Sequence, residues 1–159
     1  MKILVDTTYL LPVFGIEVNG LTDEDLLKIR ELVLKAKIKL YCLSIIWIEL
    51  IDKIYKASLK HRVRLSNSEL MYRIRSLFNP KYYKWINSRP KSILIAYKLR
   101  AIGHKDLIDN LLYATSITRK MYLMAMDREF KEFLRSRKLN IENIISYKEL
   151  FDILSKPRN

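Results

Sequence analysis

Asp6 closes the apolar run KILV, Glu49 sits inside IIWIELI, Asp109 opens DNLLYAT, and Asp127 follows YLMAM. An ionised carboxylate moved from water into an apolar setting is costly unless a cation or hydrogen bonds compensate it. One such residue can be an accident of packing. Four from separate segments point to a fold that gathers them around positive charge. Hard divalent cations such as Mg²⁺ and Mn²⁺ choose oxygen ligands, and carboxylates from separate elements leave coordination positions for water and a substrate phosphate. The chemistry open to this pattern is metal-assisted hydrolysis of a phosphodiester. Crowded carboxylates repel one another without a cation, so bound metal is expected to raise thermal stability as well.

Each acid has a structural alternative. Asp6 and Asp127 both stand where a helix could begin and can serve as N-caps. Asp106 and Asp109 are three residues apart at a helix start and can form a capping-box-like pair, in which Asp106 fits the cap better and stands behind Asp109 in the site. Glu49 has apolar neighbours and no cap to serve, so its alternative is a paired structural glutamate. Asp52 has Lys56 at i+4 as a surface partner. Thr7 and Thr8 can orient an acid or a water, or close a local turn.

The elements that must position these groups are legible as alternating strands and helices. Residues 2–5 read as a strand, and Asp6-Thr7-Thr8 caps a short helix to about residue 14. Thr22, with three acids behind it, opens a helix to about residue 37, followed by a strand over 38–43. Ser44 then caps a helix of about fifteen residues that carries Glu49. Further helices are expected over about 66–77, 91–101 and 106–119, interrupted at Asn79-Pro80 and Pro90. Strands over 122–126 and 141–146 each lead into a helix, REFKEFLRSRK and YKELFDIL. Strands separated by helices indicate a parallel sheet with crossover helices, in which the functional crevice lies beyond the carboxyl ends of the strands. Asp6 and Asp127 both fall at such ends.

Charge is concentrated. The chain has 30 basic and 17 acidic residues, and 13 of the basic ones lie in residues 53–100 against a single acid, Glu69. There Lys53, Lys56, Lys60, Arg62, Arg64, Arg73, Arg75, Lys81, Lys84 and Arg89 alternate with Tyr55, Tyr72, Phe78, Tyr82, Tyr83 and Trp85. Cations that neutralise phosphates, beside rings that stack on unpaired bases, describe a surface for single-stranded nucleic acid. A solvated helical face with core aromatics is the plain alternative, and an anionic membrane surface a third.

The remaining features exclude more than they assert. At 159 residues, half of them apolar, the chain can bury one good core. Cys42 is the only cysteine, which removes a disulfide framework and any cysteine-cluster zinc site. His61 lies among basic residues and His104 in a turn, and no nucleophile–base pair or glycine-rich phosphate loop appears. The first residues reach Asp6 before an apolar signal segment could be completed, and no apolar stretch is of spanning length. A cytoplasmic protein with no membrane association is expected.

Taken together the motifs resemble a family. VDTTYLL is similar to the opening of a PIN domain, and DLIDNLLYATS resembles that family's third-acid helix, with Asp109 in the acid position. MDREF resembles its fourth element, with Asp127 and Phe130 matching and Ala125 where Thr or Ser is usual. Glu49 occupies the second-acid position. The resemblance runs through about residues 1–150. It implies a PIN-like three-layer α/β/α fold with a short central parallel sheet of four to five strands. In this reading residues 1–155 form a single domain, 53–100 a basic, aromatic-rich helical arm within it, and 156–159 a tail. It further implies an endoribonuclease that uses Mg²⁺ or Mn²⁺ on single-stranded or structured RNA, of the kind of the VapC-type toxins or related archaeal-style proteins. Such proteins commonly form homodimers, and the toxins are held inactive by a small antitoxin protein. Asp6, Glu49, Asp109 and Asp127 would then be both catalytic and metal-binding. A PIN-like scaffold that binds RNA and keeps the acids for stability is the alternative.

Overall fold

The computed structural model describes residues 1–60 and 64–156. Arg62, expected on the basic surface, and residues 157–159 of the expected tail lie outside them. The chain divides into two compact units, Met1–Asn87 and Ser88–Asn159. The boundary falls inside the segment expected as a helical arm.

In the first unit, β1 (Lys2–Val5), β2 (Lys39–Leu43) and β3 (Tyr83–Ile86) pair in parallel, with β2 central. Ile3 lies opposite Leu40, and Cys42 opposite Trp85. Ile3, Leu4, Val5, Cys42 and Leu43 are buried, as runs covered on both faces of a parallel sheet should be. Helix α1 (Asp23–Leu34) links β1 to β2 and opens on a capping box between Thr22 and Asp25. Helices α2 (Ile46–Leu59) and α3 (Asn67–Leu77) link β2 to β3, and α3 begins with a second capping box, Ser66 with Glu69.

The second unit holds α4 (Pro90–Ala101) packed along α5 (Leu107–Thr118), the parallel pair β4 (Tyr122–Met124) and β5 (Ile144–Ile145), and helices α6 (Arg128–Ser136) and α7 (Tyr147–Ser155). Ser92 and Thr118 share a hydrogen bond of 2.6 Å between α4 and α5. Leu112, Leu123, Met124, Phe130, Leu134 and Leu150 are buried.

Several expectations are corrected. The stretch after Thr8 is two 3-10 turns, Thr7–Tyr9 and Leu11–Phe14, since Pro12 has no N–H to continue a longer helix. Ser44 does not cap α2. Its amide and hydroxyl both donate to the Ile86 carbonyl, and the helix starts behind Ile45 without a side-chain cap. The final strand is shorter than 141–146 because the Asn140 side chain accepts from the Glu142 amide in a local turn, while Ser146 is taken by a capping box with Glu149. The basic middle is not purely helical: it supplies β3. The sequence YYKWI is aromatic and β-prone, and pairing with β2 is what places it.

Candidate functional site

In the first unit the two expected acids are joined by the short segment that follows β1. Asp6 follows the last residue of β1 and N-caps the first 3-10 turn, where its Oδ1 accepts from the Thr7 amide at 2.6 Å. Its Oδ2 accepts from the Thr8 hydroxyl at 2.9 Å. The Thr7 hydroxyl donates across 42 residues of sequence to Glu49 Oε2, at 2.5 Å. Glu49 lies in the first turn of α2, which follows β2 directly. Parallel pairing of β1 with β2 therefore puts both acids at one end of the sheet, and Thr7 bridges them.

The electrostatics of this pair are costly. Asp6 is only 8% exposed. Burial pushes its carboxyl above the ordinary aspartate range, and the negative charge of Glu49 adds to the rise. The Thr8 hydroxyl, the Lys53 ammonium and the Thr7 amide oppose it. Lys53, one turn beyond Glu49 on α2, places its Nζ 2.5 Å from Glu49 Oε1. Asp6 is thus at once an N-cap and a buried carboxyl beside a second acid.

In the second unit, Asp109 lies in the first turn of α5 and Asp127 caps α6. Asp106 is the N-cap of α5, accepting from the amides of Ile108 and Asp109 at 2.8 and 3.1 Å, as its position suggested. It fixes the backbone that carries Asp109. Asp127 Oδ1 accepts from the Phe130 amide at 3.0 Å. A short link joins α5 to β4, so the start of α5 lies toward the carboxyl end of β4, the end from which Asp127 follows. His104 is occupied locally: its Nδ1 shares a 2.9 Å hydrogen bond with Asn110, and its ring packs on Phe130 and Phe133.

The donor set is all oxygen, which suits Mg²⁺ or Mn²⁺, and a desolvated carboxylate beside a second one is what a divalent cation would relieve. Among the described residues no three or more His, Cys, Asp or Glu side chains form a group that could hold a metal ion.

The basic surface sorts into engaged and exposed side chains. Lys56 pairs with Asp52 at 2.7 Å. The Arg73 guanidinium donates to the Val13 carbonyl at 2.8 Å and so anchors the 3-10 segment. Trp85 is tied into the fold: its Nε1 donates to the Leu77 carbonyl at 2.7 Å, and its ring stacks with Trp47 and Phe78, centroids 5.1 and 5.3 Å away. Lys60, Arg64, Arg75, Lys81, Lys84 and Arg89 are exposed. Two features escaped the sequence reading, the Lys53–Glu49 pair and the Trp47–Phe78–Trp85 stack. The first had a signal, an acid four residues ahead of a lysine; the second joins residues remote in sequence.

No protein-family model matches the chain, and no curated protein matches it in sequence. Solved structures do match in fold. One is the crystal structure of VapBC2 from Rickettsia felis bound to a DNA fragment from their promoter, with TM-score 0.61 and 16% identity, over 92% of this chain and 97% of that one. Another is PAE2754 from Pyrobaculum aerophilum, with TM-score 0.62 and 14% identity, over 98% and 90%. The fold is the three-layer α/β/α fold of the VapC-type PIN proteins, as the motifs in the sequence led us to expect. No described helix is long and apolar enough to cross a membrane.

Proposed function

We propose that this protein is a metal-dependent endoribonuclease acting on single-stranded or structured RNA, with Asp6, Glu49, Asp109 and Asp127 serving one Mg²⁺ or Mn²⁺ site. The observation that carries the reading is the Asp6–Glu49 pair: a buried carboxylate at a strand end, held to a second carboxylate through Thr7. Thr7 and Thr8 fix the two acids so that they converge without a rotamer search. When bound, the cation supplies charge that polarises the scissile phosphate and lowers the pKa of an attacking water. Lys60, Arg64, Arg75, Lys81, Lys84 and Arg89 hold the RNA backbone, and exposed Tyr55 and Tyr72 offer faces to unpaired bases. The fold likeness to a chain of VapBC2 supports the further reading of a toxin, acting as a homodimer and restrained by a small antitoxin protein.

A second reading, a PIN-like RNA-binding scaffold, draws on the occupied acids: Asp6 and Asp127 cap helices and Glu49 carries an ion pair. Wild type and Asp6→Asn on labelled single-stranded RNA, with Mg²⁺, Mn²⁺ or EDTA, separate the two. Cleavage by wild type that EDTA and Asp6→Asn both abolish is expected. Cleavage that survives both would refute the metal mechanism, and tight binding without cleavage in any metal would favour the scaffold.

A further inference from the structure

We propose that Lys53 is the resident counter-cation of the Asp6–Glu49 pair and competes with the divalent cation for Glu49, an inference that rests on the metal reading above. Both Glu49 oxygens are engaged: Oε2 by the Thr7 hydroxyl, Oε1 by Lys53 Nζ at 2.5 Å. The Thr7 contact is compatible with metal binding, since a hydroxyl donor can stay on one oxygen while the other binds a cation. The Lys53 contact opposes it, because an ammonium held on Oε1 neutralises the carboxylate and repels a divalent cation brought to the same oxygen.

The geometry singles this lysine out. On the same helix Lys56 pairs with Asp52, but those side chains are 65% and 53% exposed, against 36% for Lys53 and 26% for Glu49. The first pair is a solvated surface contact; the second is partly withdrawn from water and so is screened less. Its charge also reaches the neighbouring carboxyl, where it opposes the effect of burial on Asp6. Lys53 was expected to touch RNA phosphate. Its ammonium is instead directed at the acids, and it sets how much metal is needed to load the site.

Binding of Mn²⁺ to wild type, Lys53→Met and Lys56→Met, measured by calorimetry at one ionic strength, tests this. Met keeps the aliphatic stem in place. Lys56→Met removes the same unit of charge from the same helix and controls for the general field. Lys53→Met is expected to bind Mn²⁺ at least about fivefold more tightly than wild type, and Lys56→Met within about twofold of it. In EDTA, Lys53→Met should melt lower than Lys56→Met, and that loss should vanish in a Glu49→Gln background. Equal Mn²⁺ affinity in wild type and Lys53→Met, or weaker binding by the variant, would overturn the competition while leaving the metal reading intact. No Mn²⁺ binding by any of the three proteins would overturn both.

Discussion

Replacing Asp6 by Asn should stabilise the protein without metal and destabilise it relative to wild type with metal. The Asn side chain keeps an oxygen for the Thr7 amide, and the Thr8 hydroxyl can turn to accept from Nδ2, so the cap survives. What disappears is a charge that is 8% exposed and next to Glu49. Removing it should stabilise the metal-free protein by about 1 kcal/mol, a melting shift of roughly +2 to +4 °C for a chain of this size. In Mn²⁺ at about a hundred times its dissociation constant, wild type should gain about 2.7 kcal/mol, or roughly 5–11 °C, and Asp6→Asn far less. The two curves therefore cross as Mn²⁺ is added, which differential scanning calorimetry can follow. The pH dependence has the same origin. A carboxyl whose folded-state pKa is raised contributes stability that is fully present below its unfolded pKa and is lost as pH rises through the folded value. Wild type in EDTA should thus lose stability relative to Asp6→Asn as pH rises from the ordinary aspartate range. If Asp6→Asn melts below wild type in EDTA at neutral pH, Asp6 is a structural cap whose charge is satisfied, and the argument fails. If Mn²⁺ leaves the wild-type melting temperature unmoved, the acids do not form a cation site.

Three further outcomes follow from the same structure. Neutralising Lys81, Lys84 and Arg89 together should weaken RNA binding and flatten its dependence on salt by up to about three units of slope, measured by fluorescence anisotropy across salt concentrations; an unchanged slope would mean these side chains do not meet phosphate. Trp85→Phe keeps a ring in the stack but leaves the Leu77 carbonyl without its 2.7 Å donor, and should cost about 1–3 kcal/mol in urea denaturation. Asp127→Asn retains the cap on the Phe130 amide through its Oδ1, so its melting temperature in EDTA should stay close to wild type while Mn²⁺ affinity falls at least about tenfold; unchanged affinity would remove Asp127 from the site.

The link between Asp6 and Glu49 was foreshadowed because their setting is anomalous: a lone charge at the end of KILV or inside IIWIELI demands compensation, and that demand is written in the sequence. The helix starts at Thr22 and Ser66 follow local rules and were legible, whereas Ser146, expected at the end of a strand, is the cap of the last helix. The alternation of strands and helices, and with it a parallel α/β fold, came from the same local patterns.

What the tertiary structure decided is which partners those groups have. Sequence spacing could not show that Thr7 reaches Glu49, that Arg73 is spent on the Val13 carbonyl, or that Trp85 stacks on Trp47 instead of facing solvent. Nor could it find β3, whose aromatic residues become a strand only because β2 offers an open edge to pair with. Residue type and local order fix propensity and charge, whereas the compensation of a buried charge depends on groups that are brought close only when distant segments pack together.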